Sequence, residues 1–139
     1  SQFLDYQEFQ GTRDISAFLC TPKVIDFLEE NNWKTKAKDC RNLVLSNYKR
    51  FCDLLGSKPI CPINEDFLVQ MASVPVKTSD PVGLKELLFK TYKIEIPVMS
   101  LNGNYFIRYS INAYNSQEDL DVLYNALQDI IATTVLIEV

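Results

Sequence analysis

Three short stretches hold residue types that can do chemistry. "IRYS" sets Arg108 inside an alternating apolar run. Its guanidinium is a planar fork whose paired N–H groups match a carboxylate. "QGTRD" sets Gly11 and Thr12 side by side, just ahead of a helical pattern. A permissive glycine, a hydroxyl and free backbone N–H groups beside a helix start suit a phosphate. "SKPICPINED" holds Cys61, read as the one cysteine outside a helix, with Lys58 as a nearby cation. Each has a plainer reading. Arg108 is then an exposed strand arginine or one half of a structural ion pair. Gly11 and Thr12 are loop punctuation before a cap at Asp14. Cys61 is an inert thiol.

Other chemistry is narrowed by what the chain lacks. The 139 residues include no histidine, which removes every His-based triad and the commonest general base. Asp5, Glu8, Asp119 and Asp121 form no convincing carboxylate pair, so no catalytic residue is assigned. The four cysteines, Cys20, Cys40, Cys52 and Cys61, contain no Cys-x-x-Cys pair, and no metal site is expected. They read as free thiols in a reducing compartment, hence a cytoplasmic protein. A net charge of -4 argues against a nucleic-acid partner. No apolar run reaches membrane-spanning length, and no membrane partner is expected. The mixed start, with Asp5 and Glu8 inside it, does not read as a signal peptide.

The elements that must position these residues follow from periodicity. Residues 1–12 read as an irregular or extended arm, with Phe3, Tyr6 and Phe9 every third residue. Residues 13–139 read as one small α+β domain. Asp14 caps a short helix. Thr21 caps the next, with Pro22 at its first position and Asn31-Asn32 at its end. Trp33 to Leu55 is a long helix with a stripe through Ala37, Cys40, Val44, Tyr48 and Phe51, stopped at Gly56. Its basic start (Lys34, Lys36, Lys38, Arg41) reads as a solvated face.

Residues 57–66 form a loop, and 67–74 a strand with Phe67, Val69 and Met71 on one face, ended by Pro75. Asp80-Pro81 starts a helix. "IEIPVMSL-NG-NYFIRYSI" is a hairpin with a type I′ turn at Asn102-Gly103. Its register sets Arg108 opposite Pro97 at a hydrogen-bonded position, so the ladder should fray there. Tyr105, Ile107, Tyr109 and Ile111 share one face; Phe106, Arg108 and Ser110 share the other. Ser116 to Asp119 cap a last helix, which the β-branched run from Thr133 leaves. The sum is a three-stranded, mostly antiparallel sheet with helices packed on one face.

Two stretches carry a family resemblance. "GTRDISAFLCTPKVIDFLEENNW" and "IRYSINAYNSQEDLDVLYNAL" resemble, in order and spacing, segments of isopenicillin N epimerase-like proteins. These are members of the class V aminotransferase family, which uses pyridoxal phosphate. The resemblance covers nearly the whole chain and implies the C-terminal small domain of a fold-type I enzyme. It implies that Thr12, beside Gly11, reaches the cofactor phosphate of a neighbouring subunit. It implies that Arg108 grips the α-carboxylate of an amino-acid substrate.

The family's Schiff-base lysine belongs to a large cofactor-binding domain upstream, and no lysine here matches it. The resemblance therefore implies a chain that is inactive alone. Its partners would be that large domain of the same protein, a second subunit and the substrate. The cofactor would sit in the longer parent and not on this piece. The Pro-flanked setting of Cys61 does not match the nucleophile loop of the family's desulfurases. The competing reading is a free-standing α+β binding or regulatory module without catalysis.

Overall fold

The computed structural model describes residues 1–8 and 11–139. They fall into two units, Ser1–Trp33 and Lys34–Val139. The division lies further along the chain than the boundary after residue 12 suggested by the sequence pattern.

In the first unit, residues Gln2–Glu8 form helix α1, where an irregular arm was expected. Ser1 supplies the start: its Oγ accepts from Leu4 N–H, and its carbonyl accepts from Asp5 N–H. Asp5 in the first turn suits the positive end of the helix. Phe3 and Tyr6 belong to α1; Phe9 lies outside the described residues. Ser16–Leu19 forms α2 and Thr21–Glu30 forms α3. Thr21 is the first residue of α3 and not its cap. Cys20 holds the cap position in a helical conformation, so α2 runs almost directly into α3. Cys20 therefore also lies outside a helix, a place the sequence reading kept for Cys61. Asn31 ends α3 as expected, and Asn32 turns left-handed after it. None of these three helices buries a residue.

The second unit is built on α4, Trp33–Leu54 as an element, which ends one residue earlier than expected. Its stripe Cys40, Val44, Tyr48 and Phe51 is buried. The next strand, β1, is Met71–Val76. It starts four residues later than predicted and runs through Pro75. Its buried face is Ala72, Val74 and Val76, whereas Phe67, Val69 and Met71 are exposed. The expected alternation was one residue out of phase, and a one-residue slip exchanges the two faces of a strand.

Helix α5 is Pro81–Lys90, capped by Asp80, whose Oδ1 accepts from Gly83 N–H at 2.8 Å. Strands β2, Val98–Leu101, and β3, Asn104–Ser110, are joined by Asn102 (φ 50°) and Gly103 (φ 78°). Two consecutive positive φ values make the expected type I′ turn. Helix α6, Gln117–Thr133, begins at Ser116, whose N–H donates to Asp119 Oδ2 at 2.9 Å.

The sheet order is β1-β3-β2 and both pairings are antiparallel. Ile111 N–H donates to Gln70 O. In the β1–β3 register this makes Ala72, Val74 and Val76 the hydrogen-bonded positions. Pro75, opposite Phe106, is then a position whose amide faces away from β3. Proline is tolerated there because an edge strand needs no donor on its outer side. Pro97 behaves as its chemistry requires. Arg108 N–H donates to Pro97 O at 3.1 Å, the return bond has no donor, and β2 begins at Val98.

The inner sheet face packs with residues of α4, α5 and α6 in one hydrophobic core. The outer face carries Met71, Ser73, Pro75, Met99, Phe106 and Arg108, none of them buried. The unit is thus a small α+β domain with an antiparallel three-stranded sheet and helices on one side.

Candidate functional site

Arg108 is placed by strand alternation. Ile107 and Tyr109, on either side of it, are buried in the core, so Arg108 must project to the outer face. Ser73 on β1 and Pro97 at the end of β2 flank it across the sheet. Its Nε is buried without a hydrogen-bond partner, and among the described residues the guanidinium makes no ion pair. A buried guanidinium N–H without an acceptor is costly.

The residue lines a pocket of about 310 Å³ where β2 stops and α6 begins. Ile94, Leu120 and Leu123 give this pocket apolar walls; Glu95, Asn115 and Asp119 give it polar ones. Asp119 is committed to the α6 cap, accepting from Ser116 N–H and Asn115 Nδ2. The sequence reading did not single out Glu95 or Asn115. Alternation back from Pro97 was the available signal: Ile96 is buried and Glu95 is exposed.

Gly11 and Thr12 lie in the first unit and are exposed. Gly11 has φ 76°, a conformation glycine takes without strain, and a Cβ there would meet nothing within 4 Å. Backbone conformation, not space, is what asks for glycine. No hydrogen bond engages the Thr12 hydroxyl among the described residues. Two residues on, Asp14 Oδ1 accepts from Ser16 N–H at 2.8 Å and from the Ser16 hydroxyl. Those bonds hold its carboxyl below the usual carboxylate range, the hydroxyl bond contributing most. Asp14 therefore caps α2 from one residue before the position assigned to the cap, Ile15. Arg13 stacks its guanidinium over Phe18 at 4.8 Å from the ring centroid.

The remaining candidates have structural partners. Asp121 pairs with Arg50 and accepts from Gln117 Nε2 at 3.0 Å, and both interactions lower its pKa, Arg50 most. Gln117 and Asn47 exchange two side-chain hydrogen bonds, at 2.7 and 3.0 Å, and so join α4 to α6. Cys61 is partly buried against the core, and all four cysteines are free thiols. Among the described residues no cluster of His, Cys, Asp or Glu has the arrangement of a metal site.

No family model matches the chain. Two curated proteins do resemble it. It is 25% identical over 124 residues to isopenicillin N epimerase of Amycolatopsis lactamdurans, covering 88% of this chain and 31% of that protein. It is 28% identical over 121 residues to isopenicillin N epimerase of Streptomyces clavuligerus, covering 86% of this chain and 30% of that protein. The chain is isopenicillin N epimerase-like over most of its length, and spans about a third of the length of these relatives.

Proposed function

We propose that this chain is the C-terminal domain of a pyridoxal phosphate-dependent enzyme acting at the Cα of an amino-acid substrate. The carrying observation is Arg108: a guanidinium with a buried, unpartnered Nε, set at a small pocket with apolar walls. In this reading Arg108 takes the substrate α-carboxylate through paired hydrogen bonds and so fixes the orientation of Cα.

Gly11 and Thr12 are the contact for the cofactor phosphate. The left-handed Gly11 and the unengaged Thr12 hydroxyl fit that task. When bound, pyridoxal phosphate draws electrons away from Cα. The chain's own residues bind and orient. No lysine here is assigned to the cofactor, so the chain is inactive alone and works with the large domain of the same protein, in a dimer in the cytoplasm. Whether the parent epimerises, transaminates or eliminates rests on groups in that larger domain.

The test is Arg108→Lys in the full-length parent. Lysine keeps the charge and loses the fork. Loss of one charge-assisted hydrogen bond, about 1.5–3 kcal/mol, should weaken amino-acid binding at least tenfold. Unchanged affinity would remove Arg108 from the site. Thr12→Val in the same protein should loosen cofactor retention modestly; no change would leave Thr12 to the helix start alone.

A further inference from the structure

We propose that Glu95 is the second polar anchor of the Arg108 pocket, receiving the ammonium group of an incoming amino acid while Arg108 receives its carboxylate. The ligand class is the zwitterionic α-amino acid with an apolar side chain. The proposal rests on Arg108 as the carboxylate anchor and adds a residue to it.

The argument begins with charge. Arg108 and Glu95 line the same pocket, yet they form no ion pair with each other or with any described residue. Asp119, the other acid of the pocket, is already held by the Ser116 N–H and Asn115. Glu95 is thus the one carboxylate in the pocket without a partner. Opposite charges left apart in one small pocket suit a ligand that carries both signs.

The backbone explains the gap. Arg108 N–H bonds to Pro97 O, which fixes Arg108 across from Pro97. Alternation carries Glu95 to the same side as Pro97, while Ile94 and Ile96 turn toward the core. Glu95 is then diagonal to Arg108, and diagonal positions across a ladder are about 7–8 Å apart. That is too far for close side-chain packing at the Cβ level and close enough for two long side chains to converge on one ligand. The apolar walls, Ile94, Leu120 and Leu123, receive the rest of the amino acid. A volume of about 310 Å³ is at the small end for ligand sites and suits a ligand of that size.

Three probes test this on the 139-residue chain, followed by NMR titration: L-leucine, 4-methylpentanoate, which lacks the ammonium, and 3-methylbutylamine, which lacks the carboxylate. L-Leucine should bind about threefold more tightly than 4-methylpentanoate, the size expected for an exposed ion pair. Glu95→Gln should abolish that difference and leave 4-methylpentanoate affinity unchanged, which also shows that the variant is folded. Arg108→Gln should weaken both carboxylates and spare the amine. Equal affinity for leucine and 4-methylpentanoate, or a preference that survives Glu95→Gln, overturns the role of Glu95 and leaves Arg108 standing. Failure of 4-methylpentanoate to bind, or binding indifferent to Arg108→Gln, overturns both.

Discussion

Tyr48→Phe removes a single oxygen from the best-anchored side chain of α4. The ring is fully buried and stays in place. The hydroxyl donates to Ser73 O at 3.0 Å and accepts from Ile60 N–H at 3.2 Å. It therefore ties the long helix to β1 and to the loop before it. Ser73 is a non-hydrogen-bonded position of the β1–β3 ladder, so its carbonyl faces away from β3 and Tyr48 is its protein partner. Ile60 is exposed, and water can replace its bond, which sets that loss near 1 kcal/mol. The Ser73 carbonyl is less accessible and costs about 1–2 kcal/mol when left bare. The expected destabilisation is about 2–3 kcal/mol. With a urea slope of about 1–2 kcal/mol/M, the unfolding midpoint should fall by at least about 1 M at unchanged slope. Circular dichroism reads the midpoint, and amide exchange at Ile60 reads the local bond. A shift below about 0.3 M, with Ile60 exchange unaltered, would refute the idea that this hydroxyl joins helix, strand and loop.

Two further outcomes follow from specific contacts. Burial pushes the Tyr109 phenol well up, and it also raises Tyr48 and the Cys52 thiol. The folded chain thus holds these protons more tightly than the unfolded one, so stability is intact below the ordinary values of 9.0 and 10.0 and falls as pH rises past them. Unfolding midpoints measured from pH 7 to 11 should decline only in the alkaline part, and Tyr109→Phe should make that decline shallower. A Cβ at Gly83 would lie 2.2 Å from Asp80 Oδ2, so Gly83→Ala must displace the cap of α5. Alanine's helix preference of about 1 kcal/mol should then be cancelled by the lost cap, yet appear in an Asp80→Ala background, a coupling that a thermal double-mutant cycle measures.

Much of the second unit was legible because local signals agreed. The Asn102-Gly103 turn, the Asp80 cap and the Ser116–Asp119 start each need one backbone geometry, and each is found. The stop of β2 followed from one missing N–H at Pro97. β1 was misread because "FLVQMASV" has apolar residues on both alternations, so the pattern alone could not choose a face. Tertiary packing against Tyr48 and Ile107 makes that choice. In the first unit, α1 was missed because seven residues give too little periodicity; its start rests on Ser1, a cue outside the apolar pattern. For the site, Arg108 was visible as a type in a strand. Its pocket was not, since Glu95 and Asn115 come near it only where the end of β2 meets the start of α6.

The outer side of β1 has a further consequence. Its outward groups are already engaged or absent: Ser73 O is held by Tyr48, Pro75 has no N–H, and Lys77 O accepts from Glu138 N–H at 3.0 Å. On the opposite margin, β2 offers only a four-residue stretch between Pro97 and the turn. Sheets with open margins recruit strands from other chains and grow into fibrils. Here both margins discourage such recruitment. Another protein surface meeting this sheet is steered to its broad outer face, where Arg108 stands.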